Sequence, residues 1–91
     1  MSLREADVDH MWEKLGFDIR NARDVIATLR VNGKVVARTK RSHGARKLDG
    51  QIPHLIRQQM RLSAAEFKDA YECPLDKEGY LAILERKGLL G

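Results

Sequence analysis

The chain has 91 residues, 43% of them hydrophobic and 33% charged, with a formal net charge of +4. That length supports one domain over 1–91 with a small core, and a lone cysteine, Cys73, excludes an internal disulfide framework and any CxxC or CxxH metal spacing. No apolar run approaches the roughly 20 residues that span a bilayer, and residues 1–7 lack the apolar stretch of a secretory leader. A soluble, cytoplasmic protein with no membrane partner is expected.

Residues 4–16 predict an amphipathic helix. Val8, Met11, Trp12 and Leu15 recur at helical spacing, while Asp7, His10 and Lys14 occupy another face. Gly16 is placed to end it in a left-handed cap, with Phe17 folding back onto the apolar stripe. His10 is then a solvent-facing helix residue.

Asn32-Gly33 between two β-rich runs, 25–31 and 34–39, predicts a hairpin, because a two-residue type I′ turn needs positive φ at both central positions. Strict alternation from that turn sets Val31 opposite Lys34, Leu29 opposite Val36 and Ala27 opposite Arg38. Val25, Ala27, Leu29, Val31 and Val36 then face the first helix, and the outer end of that face turns basic at Arg38 and Lys40. The opposite face mixes Ile26, Thr28, Arg30, Val35, Ala37, Thr39 and Arg41. A bulge would shift these faces.

Residues 40–50 read as a loop or irregular edge, punctuated by Ser42, Gly44 and Gly50. A helix near 52–61 follows, with Pro53 in its first turn, where a missing N–H costs nothing. Ile52, Leu55, Ile56 and Met60 form its apolar side, and His54, Arg57, Gln58 and Arg61 its polar side. Ser63 with Glu66, flanked by Leu62 and Phe67, is a capping box with a hydrophobic staple and starts a helix over 64–72. Asp76 caps another over 77–87, ended by Gly88. The expected fold class is α+β: an N-terminal helix packed on an antiparallel β-hairpin or small sheet, followed by three short helices.

Charge is distributed unevenly along this layout. Between Arg30 and Arg61 nine bases face a single acid, Asp49, while the two ends together are acidic. A cationic segment of this kind is the electrostatic footprint of a polyanion, most often a nucleic acid. The candidate binding residues are Arg38, Lys40, Arg41, Ser42, Arg46, Lys47, His54, Arg57 and Arg61. His43 is the candidate catalytic residue. An imidazole with a pKa near ~6.5 can move a proton at neutral pH, adjacent cations stabilise a phosphorane-like transition state, and in RNA the attacking group is the neighbouring 2′-hydroxyl. Such cleavage needs no metal or other cofactor. No phosphate-cradling glycine loop, dinucleotide-binding turn or carboxylate cluster is present. Few aromatics accompany the basic segment, which argues against single-strand recognition by base stacking.

Met11–Phe17, Arg41-Ser42-His43, Ile52-Pro53 and the run from Ile56 to Phe67 together resemble the HicA-like toxins, small mRNA interferases. The resemblance covers about residues 6–67. Arg41-Ser42-His43 is similar to the family's Gly-Ser-His motif, with Arg41 in place of its Gly, and Ile52-Pro53 to the residues ahead of its second helix. It implies a double-stranded-RNA-binding-like fold, ribonuclease activity through His43 within a toxin–antitoxin system, and RNA rather than DNA as the substrate. Two other classes remain open. Residues 52–61 and 64–72 have the spacing of a DNA-binding helix-turn-helix, although Glu66, Asp69 and Glu72 make a poor surface for a phosphate-lined groove. A non-catalytic interaction protein could instead offer the same cations to an acidic protein partner.

Overall fold

A computed structural model describes residues 3–42, 47–48, 50–72 and 74–90. The elements run β1 (Leu3–Arg4), α1 (Glu5–Lys14), β2 (Asp18–Asn21), β3 (Val25–Val31), β4 (Lys34–Arg41), β5 (Lys47–Leu48), α2 (Ile52–Gln59), α3 (Ala64–Tyr71) and α4 (Lys77–Arg86). The fold is α+β: an N-terminal helix, a three-stranded antiparallel sheet in the order β2-β3-β4, then three helices. A short antiparallel pair, Leu3 with Leu48 and Arg4 with Lys47, ties the segment before α1 to the one between β4 and α2.

Helix boundaries follow local chemistry. After α1, Gly16 adopts φ +89. Its N–H donates to the Glu13 carbonyl at 3.1 Å and the Phe17 N–H to the Trp12 carbonyl at 2.9 Å, the two bonds of a Schellman motif. Phe17 is thereby returned to the core, where it stacks on Tyr80 at 5.8 Å. The capping box at α3 is complete: Ser63 N–H donates to Glu66 Oε1 and Glu66 N–H to Ser63 Oγ. Asp76 accepts from the Gly79 N–H at the start of α4.

One continuous core gathers Val8, Met11, Trp12 and Leu15 of the N-terminal helix region, the inner face of the sheet, and apolar residues of α2, α3 and α4. Tyr80 enters it as a polar-tipped aromatic whose hydroxyl donates to the Met60 carbonyl at 2.7 Å, so its burial leaves no orphaned group. The chain reversal after α2 is tight. Met60 ends the helix, Arg61 takes φ +64, and the Leu62 N–H reaches back to the Arg57 carbonyl.

The hairpin turn at Asn32-Gly33 is where the dipeptide placed it, with φ of 54 and 79. The strand faces beyond it differ from strict alternation. Val31 pairs with Lys34 and Arg30 with Val35, but Leu29 pairs with Ala37, so Val36 is an extra residue on β4. This bulge inverts every later position of the strand. Ala37, Thr39 and Arg41 turn inward and are buried, while Arg38 and Lys40 turn outward and are exposed. The two basic residues therefore do not share a face with Val25, Ala27 and Leu29.

Candidate nucleic-acid interface

Cross-strand registration arranges the outer face of the sheet in rows. Arg20 of β2, Ile26 of β3 and Lys40 of β4 form one row, and Asp18, Thr28 and Arg38 the next, with Arg30 beside Val35 beyond them. Arg20, Arg30, Arg38 and Lys40 are exposed, and Val35 keeps half of its surface in solvent. The face is thus cationic around a weakly apolar centre. Two acids temper it: Asp18 lies 3.7 Å from Arg30 and Asp24 3.6 Å from Lys40. Both pairs are long and solvated, and contacts of that kind contribute at most about 1 kcal/mol, so they leave the cations available. Arg38 forms no ion pair among the described residues.

The second wall of the site is α2, which runs beside β4. Between them lies a seam of two adjoining hollows. The larger, about 330 Å³, has Arg38 on the strand side and Gln58, Gln59 and Arg61 on the helix side. The smaller, about 220 Å³, is lined by Arg38, Thr39, Lys40 and Gln59. Among the described residues no acid lines either. Toward the start of α2 the surface becomes apolar, with Ile52 and Leu55 exposed around a third hollow that also reaches Asp24, Lys40, Arg41 and Ser42.

Of the residues expected from sequence to bind, Arg38, Lys40 and Arg61 come together on this surface. Ser42 is exposed where β4 ends, and His54 is exposed in the first turn of α2. Arg41 reaches the third hollow but belongs neither to the outer face of the sheet nor to the seam. Its side chain is only 6% exposed and its guanidinium is held by α1: Nε and Nη2 donate to the two carboxylate oxygens of Asp9 at 2.8 and 2.7 Å, and Nη1 lies 2.9 Å from Glu5. The hydrogen bonds it donates to Asp9 hold its pKa above the usual arginine value, against the opposing effect of burial. Arg41 is a structural cation that the bulge turned inward. Arg57 is likewise occupied in part, since it is half-buried and donates from Nη1 to the Leu62 carbonyl at 2.9 Å, bracing the exit of α2. His43, Arg46 and Cys73 lie outside the described residues. Lys47 is placed by its backbone in β5.

Two contributors were missed by reading the sequence. Arg20 belongs to β2, a strand of four residues that exposes three of them, and Arg30 was assigned only to a mixed face. The signal for Arg20 was alternation in Asp18-Ile19-Arg20-Asn21, too short to stand out. The exposed side of α3 carries Lys68 against Asp69 and Glu72, so a recognition helix at α3 would meet a phosphate-lined groove with net negative charge.

Chemically, this surface is suited to holding phosphates by exposed guanidinium and ammonium groups, with amides between them. Among the described residues no group of three or more His, Cys, Asp or Glu could hold a metal ion, and no helix is long and apolar enough to cross a membrane. Comparison with known proteins brings no relative to bear: no family model, no curated protein and no solved structure matches this chain.

Proposed function

We propose that this is a small cytoplasmic nucleic-acid-binding protein that holds RNA by its phosphates across the outer face of the sheet and along the β4–α2 seam. The observation that carries it is the convergence on one uncovered surface of Arg20, Arg30, Arg38, Lys40 and Arg61, contributed by three strands and the exit of α2, with Asp18 and Asp24 the only acids among them in the described residues. A surface without aromatic platforms grips the backbone rather than stacked bases.

The catalytic part of the proposal is metal-independent cleavage through His43. Ser42, the sequence neighbour of His43, is exposed at the end of β4 and lines the same hollow as Lys40. β4 ends at Arg41, just ahead of Ser42-His43 in sequence, and after the short β5 a helix opens at Ile52-Pro53, an order compatible with the HicA-like expectation.

Salt-dependent binding is the test. Fluorescence anisotropy with a labelled RNA strand should show the logarithm of affinity falling linearly with the logarithm of salt, since each neutralised phosphate releases counterions. Affinity indifferent to salt would overturn the proposal. His43→Ala should bind RNA equally well and abolish cleavage; a variant that still cleaves removes His43 from the mechanism.

A further inference from the structure

Gln58 and Gln59 have no evident part in holding the fold together. Both are exposed, and neither amide is engaged by a described residue. Their position gives them a use. Gln59 lines both hollows of the seam together with Arg38, and Gln58 lines the larger one with Arg61. The amides therefore stand between two sets of phosphate-binding cations, Arg38 and Lys40 on the strand and Arg61 beyond the helix.

Cations cannot distinguish ribose from deoxyribose, because the phosphate is the same in both. An amide can. It offers two donors and a carbonyl acceptor, which complement a 2′-hydroxyl that is itself both donor and acceptor. When flanking phosphates are held by the cations, the sugars between them lie against whatever occupies the middle of the seam. We propose that Gln58 and Gln59 read the ribose 2′-hydroxyls of a strand whose phosphates are held by Arg38, Lys40 and Arg61, making the seam selective for RNA over DNA. This inference rests on the nucleic-acid reading above and adds to it the residues that set the sugar preference.

The test uses one short base sequence in three backbones, RNA, 2′-O-methyl RNA and uracil-containing DNA, measured by anisotropy at about 0.1 M salt, where ionic contacts are only partly screened. The intact protein should bind RNA most tightly. Gln58→Ala and Gln59→Ala should each weaken RNA binding roughly three- to tenfold, the scale of one lost hydrogen bond, and leave DNA affinity unchanged. The double variant should bind RNA and DNA alike with an unaltered salt slope. Arg38→Ala, by contrast, should lower all three backbones together and reduce the slope by about one. Circular dichroism should show all variants folded, since these side chains are exposed. Equal affinity of the intact protein for RNA and DNA, or a preference that survives the double variant, overturns the ribose readout while salt-dependent binding still supports the polyanion site. Failure of all three backbones to bind overturns both.

Discussion

Replacing Arg41 by Met, Asp9 by Asn, and both together should separate a structural cation from a ligand-binding one. The magnitude follows from where the pair sits. Arg41 is almost wholly enclosed, whereas the side chains of Asp9 and Glu5 keep 33% and 29% of their surface. A fully solvated pair is worth about 0–1 kcal/mol, and breaking a fully buried one costs about 3–5 kcal/mol. A bidentate pair with one partner buried and the other a third exposed lies between, at about 2 kcal/mol. Met fills most of the space of the arginine stem and needs no polar partner, so Arg41→Met isolates the loss of the charge contacts. For a domain of this size the melting temperature should fall by about 8–16 °C. Urea denaturation of the four proteins gives the coupling energy between positions 9 and 41, expected near ~2 kcal/mol. The RNA affinity of Arg41→Met should stay within about twofold of the parent, because the guanidinium does not reach the outer face. A coupling energy below about 0.5 kcal/mol, or a loss of affinity as large as that of Arg38→Ala, would refute the assignment.

Other outcomes test the same surface. Arg38→Ala should cost about fivefold in RNA affinity at physiological salt, equivalent to ~1 kcal/mol for one solvated ionic contact, and leave the urea midpoint unchanged. Arg61→Gly should gain stability while losing affinity: φ +64 strains a side-chain-bearing residue, and relief of about 1–2 kcal/mol less the entropic cost of glycine leaves about 0.5–1 kcal/mol, read as a higher urea midpoint beside a shallower salt slope. Glu66 governs part of the acid response. Burial raises its pKa, but hydrogen bonds from Lys87 Nζ at 2.6 Å and from the Ser63 N–H outweigh this and hold the carboxyl below its ordinary value of 4.5. Its contribution to stability is therefore present above that ordinary value and lost as pH falls through the folded-state value. Glu66→Gln should flatten the stability profile in that acid window and leave the profile above it parallel to the parent.

Local chemistry made much of the architecture legible. A Ser with Glu three residues on, an Asp before a helix, a Gly after an apolar stripe and an Asn-Gly between β-rich runs each specify backbone geometry within a few residues, and each sits where expected. What failed was non-local. β2 joins β3 through Ala22-Arg23-Asp24, which carries none of the Gly, Pro or Asn cues of a hairpin, and its single inward apolar residue, Ile19, leaves almost no periodic signal. The site was legible as charge but not as shape. Arg38, Lys40 and Arg41 read as three equivalent cations in sequence, and parity then assigned the first two to the core side. Only the extra residue on β4 reverses that.

That extra residue has a physical reason that also explains the site. Glu5 and Asp9 lie one helical turn apart on α1, where i and i+4 side chains share a face, and they supply carboxylates for one guanidinium at the edge of the core. Without the bulge, alternation from the hairpin turn would direct both Arg38 and Lys40 inward and Arg41 out to solvent. Two cations would then enter a region with partners for one, and a buried charge without a partner costs several kcal/mol. Inserting Val36 exchanges that arrangement for one buried, fully paired arginine and two exposed cations, at the modest cost of a disrupted ladder at Leu29 and Arg30. The same ion network that anchors β4 to α1 thereby decides which side chains remain outside. The cationic face is a by-product of satisfying the core, and its position on the open side of the sheet, beside α2 and its two exposed amides, leaves it accessible.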